Sequence, residues 1–317
     1  MSNENIKKTN VKAINSNDIE DILRKYDQRI IFEETNIKPD KSDLNDALQD
    51  YIKSRDIGNK SVLGIDIYRY SSYSEFSQTL IPFLFKKLFD YTITLCLRNH
   101  PYVFQEYSEE RINRNFISSG DGGYVLFDTP FHSLIFAFNL AFVLRIFNSF
   151  HLFPKLRRII GEISMRYTIT YDKIYFFENN FYGKGIIHNA RIIQKDNLNR
   201  CLIDQNTYLW FMLNIDGVEN LQLLTLMDIS NIYYFKNKYE KFNDERFHDE
   251  IFSIIPLRTY GVINADLLQI GCIASKETVI NIYNLHIQVV MKFRNDDAPD
   301  QSKLITITLG NINTEGI

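Results

Sequence analysis

The chain has 317 residues, 45% of them hydrophobic and 14% aromatic, enough to bury a substantial core as one large domain or two small ones. A formal net charge of -3 and a pI near 6.1 exclude a global basic field of the kind that draws a protein to nucleic acid or to an acidic membrane. Cys96, Cys201 and Cys272 lie far apart with no C-x-x-C pair, which argues against a disulfide framework and a structural zinc site and suits a reduced, cytoplasmic chain.

The opening MSNENIKKTN is polar and lacks the apolar core of a signal peptide, so residues 1–16 are expected to be disordered. Ile19, Ile22, Leu23, Tyr26 and Ile30 then repeat at helical spacing behind the cap Asn17 or Asp18. A second helix is predicted from Ser42 on Leu44, Ala47, Leu48 and Tyr51, and NIKPDK between the two has turn composition. This arm, residues 1–60, is amphipathic and too small to fold alone, so it is expected to pack on something else. From Ser61, SVLGIDIYRY reads as a buried strand interrupted by one aspartate. A helix follows on Phe76, Leu80, Phe83, Leu84, Lys87 and Leu88, with Pro82 in or near its first turns.

FISSGDGGYVLF, residues 116–127, is predicted to be strand, tight turn and strand, because glycine reaches positive φ at no steric cost. Pro130 to about Phe150 reads as a long helix with proline at its first position. Its most hydrophobic run, Phe131 to Leu144, is shorter than the ~20 residues of a membrane span and contains His132, Ser133 and Asn139, so it reads as a buried helix with no membrane span. Ile163, Met165, Tyr167, Ile169 and Tyr171 alternate with polar residues, the period of a half-buried strand, and Lys173 to Phe177 is expected to form another. Tyr182 to Gln194 returns to helical spacing and CLID, 201–204, is a short strand.

From residue 61 the order is therefore β-α-β-β-α-β, an α+β fold of the ferredoxin-like, split-βαβ kind with an antiparallel-rich sheet and N-terminal helices added. The expected division is an arm at 1–60, a catalytic domain at 61–290 and a tail or strand at 291–317. Residues 214–260, with YYFKNKYEKFNDERF, read as an insertion whose mixed charge suits a solvated helix or a partner surface better than a nucleic-acid site. Neither a His/Cys cluster, a serine triad nor a P-loop occurs in the sequence.

Chemistry is expected at two carboxylates. With the first two strands side by side at the sheet centre, Asp66 at the end of one and Asp121 in the hairpin turn converge, and two facing carboxylates repel unless something positive lies between them. A pair of divalent cations about 3.5 to 4 Å apart would resolve the repulsion and supply the clamp used in phosphoryl transfer. Magnesium suits it, taking few protein carboxylates and finishing its shell with water and phosphate oxygens. The plainer reading is that Asp121 only forms a turn. Asp66 is harder to explain away, because Val62, Leu63, Ile65 and Ile67 would bury it and an isolated buried charge is expensive.

Four motifs in order make the chain resemble the class III nucleotidyl cyclases, the adenylate and guanylate cyclase family. VLGIDIYRYSSY resembles the first metal strand, ISSGDGGYVLF the "GD" hairpin, ISMRYTITYDKIYFF the central "R-I-G-I-x-x-G" strand pair without its glycines, and FYGKGIIHNARII the "YG-x-x-V-N-x-A-x-R" helix. The resemblance implies that Asp66, Ile67 and Asp121 hold two Mg2+ or Mn2+ ions and that Arg191 stabilises charge on the α-phosphate. By the same resemblance SKETVINIYNLHIQV contains a phosphate-gripping lysine, Lys276, and the site lies between two protomers of a head-to-tail homodimer.

The departures narrow the expectation. Ile117 stands where the family's purine enzymes keep the lysine or glutamate that reads the base, and Asn180 stands where they keep an aspartate, threonine or cysteine. A pocket with Ile117, Asn180, Phe116, Phe181 and Tyr182 would be narrower and more apolar, suited to a smaller base. On that ground the chain is most similar to the pyrimidine cyclases of bacterial antiphage (Pycsar) systems, which make cyclic UMP or cyclic CMP from the triphosphate to switch on an effector protein. Ile187 replaces the family's ribose-positioning asparagine, for which Asn189 or His188 could substitute. The alternatives are a purine cyclase and a catalytically inactive cyclase-like dimer acting as sensor or scaffold. A GGDEF-type diguanylate cyclase fits worse, since the hairpin lacks the Glu-Phe that would follow.

Overall fold

A computed structural model describes residues 14–27, 42–53, 57–178, 180–215, 261–274, 279–295 and 298–317. In chain order they form α1 (Ser16–Asp27), α2 (Ser42–Lys53), β1 (Gly58–Ile67), a 3-10 turn (Tyr70–Ser72), α3 (Glu75–Asn99), α4 (Glu109–Arg114), β2 (Phe116–Ser118) and β3 (Gly122–Phe127). There follow α5 (Pro130–Asn148), α6 (Pro154–Ile160), β4 (Met165–Phe177), β5 (Asn180–Gly183), α7 (Lys184–Lys195), β6 (Cys201–Asp204), α8 (Gln205–Ile215), β7 (Gly261–Ala274), β8 (Val279–Asn295) and β9 (Ala298–Leu309). The chain divides into two compact units, Met1–Asn59 with Asp172–Lys184 and Lys60–Tyr171 with Gly185–Ile317.

The larger unit is α+β. Its strands follow the order β2-β3-β1-β4-β6-β8-β7, with β9 pairing β8. β1 runs antiparallel to β3, from Ser61 opposite Phe127 to Asp66 opposite Gly122, and β4 runs parallel to β6. Alternation along β1 splits its side chains between two faces. Leu63, Ile65 and Ile67 join Leu84, Leu88 and Phe89 of α3 and Phe136 and Leu140 of α5 in the main core. The opposite face lies under α7, where Ile192 packs with Leu202 of β6 and Ile282 of β8.

Helix α3 starts at Ser74, whose hydroxyl accepts from the Ser77 amide at 3.2 Å. Pro82 sits inside this helix, near its first turns as expected but past the positions where a missing amide has no cost. A mid-helix proline removes the amide that would bond the carbonyl four residues back. That carbonyl, on Gln78, instead accepts the Tyr70 hydroxyl at 2.9 Å. The 3-10 turn after β1 is thus tied to the helix by the bond the proline leaves open.

Helix α5 is apolar all round and is buried, as such helices are. At 19 residues it is long and apolar enough to cross a membrane by length and composition, but 78% of its most apolar 18-residue window is buried within the protein, which fits the expected buried helix.

Several boundaries differ from those expected. The edge strand of the hairpin is β2, and β3, not the second strand, pairs with β1. Met165–Phe177 is one continuous strand, because its second half pairs with β5 from Ile174 opposite Gly183 to Phe177 opposite Asn180. That pairing takes Tyr182 and Gly183 out of the predicted helix, which starts at Lys184. β8 continues through residue 290 and pairs with β9, so most of the expected tail is part of the sheet. The predictions for residues 1–13, Ile30, NIKPDK and most of the 214–260 insertion lie outside the described residues, while Asn214 and Ile215 end α8.

In the smaller unit, the Tyr51 hydroxyl donates to the Asp18 carboxylate at 3.0 Å and accepts from the Asn15 amide at 3.0 Å, joining α2 to the start of α1. The Ile14 amide bonds the Phe176 carbonyl at 3.1 Å, and Ser16 bonds Glu178, which ties this arm to the β4–β5 hairpin.

Candidate functional site

Asp66 is the last polar residue of β1, on the α7 face beside Gly64. Asp121 precedes β3 in the hairpin turn, and the turn is stitched to β1 because the Ile67 amide donates to the Asp121 carbonyl at 3.2 Å. The surrounding glycines follow from close backbone approach. A Cβ at Gly122 would lie 2.1 Å from the Ile65 carbonyl oxygen, and one at Gly123 would lie 2.4 Å from that of Ile117. Gly120 meets nothing but has φ +103°, a conformation open to glycine and strained for other residues.

The Asp66 carboxylate accepts the Arg166 Nε–H at 2.6 Å, and Arg166 Nη1 donates to the Asp196 carbonyl. Both side chains are largely buried, with 16% of Asp66 and 20% of Arg166 exposed. Burial holds the Asp66 carboxyl above the ordinary aspartate range; Arg166 pulls it down and the Asp121 charge pushes it further up, so burial outweighs the ion pair. The Tyr124 phenol is raised by burial and then by the charges of Asp66 and Asp121. The site is therefore two mutually repelling carboxylates, of which Asp66 is paired with Arg166.

These donors fit a hard divalent cation. Among the described residues no group of three or more His, Cys, Asp or Glu could hold a metal. An ion at this pair would thus take two carboxylates and complete its shell with carbonyl, water and substrate oxygens, as Mg2+ and Mn2+ do. Ile67 could contribute only through its backbone carbonyl, since its hydrocarbon side chain carries no ligand atom and is buried in the core.

The other predicted site residues are more scattered. Asn189 is fully buried in α7, and its Nδ2 donates to the Val62 carbonyl of β1 at 2.7 Å, the Thr168 carbonyl of β4 at 3.0 Å and Thr170 Oγ1 at 3.2 Å. It staples helix to sheet, with its amide directed inward rather than toward a ribose. Arg191 and Ile187 are exposed on the outer side of α7, away from the buried row Gly185, Asn189 and Ile192. Ile117 is half-buried on edge strand β2 opposite Tyr124. Phe116 is turned toward the core, where its ring packs at a tilt 4.7 Å from that of Phe89. In the smaller unit Asn180 is exposed, Tyr182 stacks on Tyr175 at 5.7 Å and Phe181 packs on Phe176 at 4.9 Å. Lys276 lies outside the described residues.

Arg166 is the participant that sequence reasoning missed. Alternation put Ser164, Arg166, Thr168 and Thr170 on the solvated face of a half-buried strand. Thr168 and Thr170 are in fact 1% and 0% exposed, because α7 covers that face. An arginine in line with threonines beneath an amphipathic helix, two strand positions from covered residues, was the available signal.

No protein-family model matches the chain, and no curated protein is similar to it in sequence. Solved structures with a similar chain path include an adenylate/guanylate cyclase/hydrolase from Silicibacter pomeroyi, at 12% identity and TM-score 0.37 over 72% of this chain and 96% of that one. The adenylyl cyclase CyaB from P. aeruginosa is similar at 11% identity and TM-score 0.38, covering 72% of this chain and 93% of that one. Adenylate cyclases from Trypanosoma brucei give 11% identity and TM-score 0.40, covering 72% of this chain and 87% of that one. At these scores the likeness says nothing about substrate or chemistry, which rest on the side chains.

Proposed function

We propose that the chain is a nucleotide cyclase that converts a pyrimidine nucleoside triphosphate, UTP or CTP, to the 3′,5′-cyclic monophosphate and pyrophosphate. The observation that supports it most is the convergence of Asp66 and Asp121, two repelling carboxylates at the tip of adjacent strands with Arg166 between strand and loop. Mg2+ or Mn2+ bound at this pair supplies neutralising charge to the triphosphate and acidifies the ribose 3′-hydroxyl. The new bond joins O3′ to the α-phosphorus, the bond from that phosphorus to the bridging oxygen breaks, and the hydroxyl proton is lost to the medium.

Arg191 is the residue proposed to stabilise charge on the α-phosphate, a preorganised electrostatic role. Its exposure on the outer side of α7 supports a homodimer in which it serves the aspartates of the other protomer. Ile117 supports the pyrimidine preference, since it offers none of the hydrogen bonds with which a lysine or glutamate at that position would read a purine, and the amide of Asn180 carries both a donor and an acceptor. The product would act as a second messenger for a cyclic-nucleotide-responsive effector in antiphage defence, in the cytoplasm.

The test is incubation of the purified protein with each of the four NTPs and Mn2+. Cyclic UMP or cyclic CMP, lost in Asp66→Ala and in Asp121→Ala, is the expected result. The carboxylate pair is indifferent to the base, so cyclic AMP or cyclic GMP would replace the pyrimidine reading by a purine one. Failure of all four substrates would sink the enzymatic reading in favour of a sensor or scaffold.

A further inference from the structure

The segment that follows β9 lies on the α7 side of the sheet and is held through its backbone. Asn284 Nδ2 of β8 donates to the Asn311 and Asn313 carbonyls at 2.7 and 3.1 Å. Arg200 Nη1 donates to the Asn313 and Glu315 carbonyls at 3.4 and 2.6 Å. The Asn311 and Asn313 side chains accept the amides of Asn313 and Glu315 at 3.1 and 2.8 Å, turning alternate carbonyls toward their two readers.

Arg200 is 2% exposed and does more than grip this segment. Its Nε and Nη2 reach Asp196 Oδ1 at 2.8 and 2.7 Å, an oxygen that also accepts the Leu198 amide at 3.2 Å. The main-chain carbonyl of the same Asp196 accepts Nη1 of Arg166, whose Nε holds Asp66. The Tyr167 amide, next in chain to Arg166, bonds the Arg200 carbonyl at 2.9 Å. A continuous series of polar contacts, buried at Arg200 and Asp196, thus leads from residues 311–317 through Arg200, Asp196 and Arg166 to the Asp66 carboxylate.

We infer that residues 311–317 and Arg200 act as a positioning clamp that keeps Arg166 seated on Asp66 as its resident counter-ion, and so set the affinity of the carboxylate pair for divalent cations. An arginine on one Asp66 oxygen competes with an incoming cation by occupancy and by like charge. Arg200 alone would hold the Asp196 loop at one end; the carbonyls of Asn313 and Glu315 fix the other side of its guanidinium. Releasing them lets Arg200 and the Asp196 carbonyl shift, and Arg166 loosens from Asp66. The clamp rests on the metal reading of Asp66 and Asp121 for its consequence, but not for its existence.

Two measurements on the 317-residue chain and a 311–317 deletion separate these. The first is hydrogen exchange of the Arg166 Nε–H by 15N NMR. The deletion is expected to speed it about tenfold while the β1 and β4 backbone amides stay unchanged; an unchanged Arg166 signal overturns the clamp. Asn284→Ala, which frees the same segment without touching Arg200, should give a smaller acceleration if the deletion itself fails to fold. The second is Mn2+ titration followed by EPR. Arg166→Met should tighten binding about tenfold and the deletion about threefold, with no further effect of the deletion in the Arg166→Met background. Equal effects of the deletion in both backgrounds overturn the relay. A wild-type protein that binds no Mn2+ overturns the metal reading, and the exchange measurement still decides the clamp.

Discussion

Gly64→Ala is expected to be among the most damaging one-carbon changes in the chain. The added Cβ would lie 2.0 Å from Asn189 Oδ1 and 2.6 Å from Ile193 Cδ1. Ile193 can rotate away, but Asn189 cannot retreat without surrendering its bonds to Val62, Thr168 and Thr170. Overpacking alone costs about 1–3 kcal/mol. Losing the two hydrogen bonds that the Nδ2 hydrogens can supply, at about 1 kcal/mol each, with buried carbonyls left short of a donor, brings the total to ~4 kcal/mol. For a chain of this size that is a fall in Tm of about 8 °C, measurable by circular dichroism melting. The decisive comparison is the cycle with Asn189→Ala. Shortening Asn189 removes the obstacle, so Gly64→Ala should cost only about 1 kcal/mol in that background. Strictly additive losses would refute the packing account of Gly64 and of Asn189 with it.

Other consequences are equally specific. Tyr70→Phe leaves the Gln78 carbonyl without its replacement donor and should lower stability by about 1–2 kcal/mol in urea titration; adding Pro82→Ala, which restores an amide at that position, should recover the loss. His100 is buried and its imidazole is held down at about 4 from an ordinary 6.5. Its folded value is depressed, so the neutral form favours folding: that contribution is complete above pH 6.5 and is lost as pH falls toward 4, on the order of 3 kcal/mol. His100→Gln should flatten this part of the stability–pH curve, and an unaltered curve would exclude His100 as its source. Asp66 has the opposite sign. Its carboxyl is raised by burial, so its ionisation weakens the fold as pH rises through the range just above the ordinary aspartate value, and Asp66→Asn should remove that decline.

The sequence patterns that proved legible share a feature: each is fixed by one face or by local backbone chemistry. The buried run of β1, the glycine hairpin and the Pro130 start of α5 all fall where composition puts them. The α+β order and the approach of Asp66 to Asp121 follow from those elements. What remained hidden depends on the second layer. Arg166, Thr168 and Thr170 look solvated because their strand alternates, and only the docking of α7 buries them. Asn189 looks like a ligand-binding amide on a helix until two strands are placed beneath it. Tyr182 and Gly183 continue the helical spacing of the residues after them, yet pairing with β4 overrides that preference.

The contacts around Gly122 and Gly123 also bear on how mutational scans of this protein would read. β3 is pressed between β1 on one side and β2 on the other, and at these two residues the first atom of any side chain would fall within 2.4 Å of a carbonyl oxygen. A survey of variants scored by survival would therefore rank both glycines beside Asp121, although neither offers a chemical group. Intolerance at Gly122 and Gly123 should appear together with loss of folded protein. Intolerance at Asp121 should appear with the fold intact, and that contrast separates the residue that acts from the residues that make room for it.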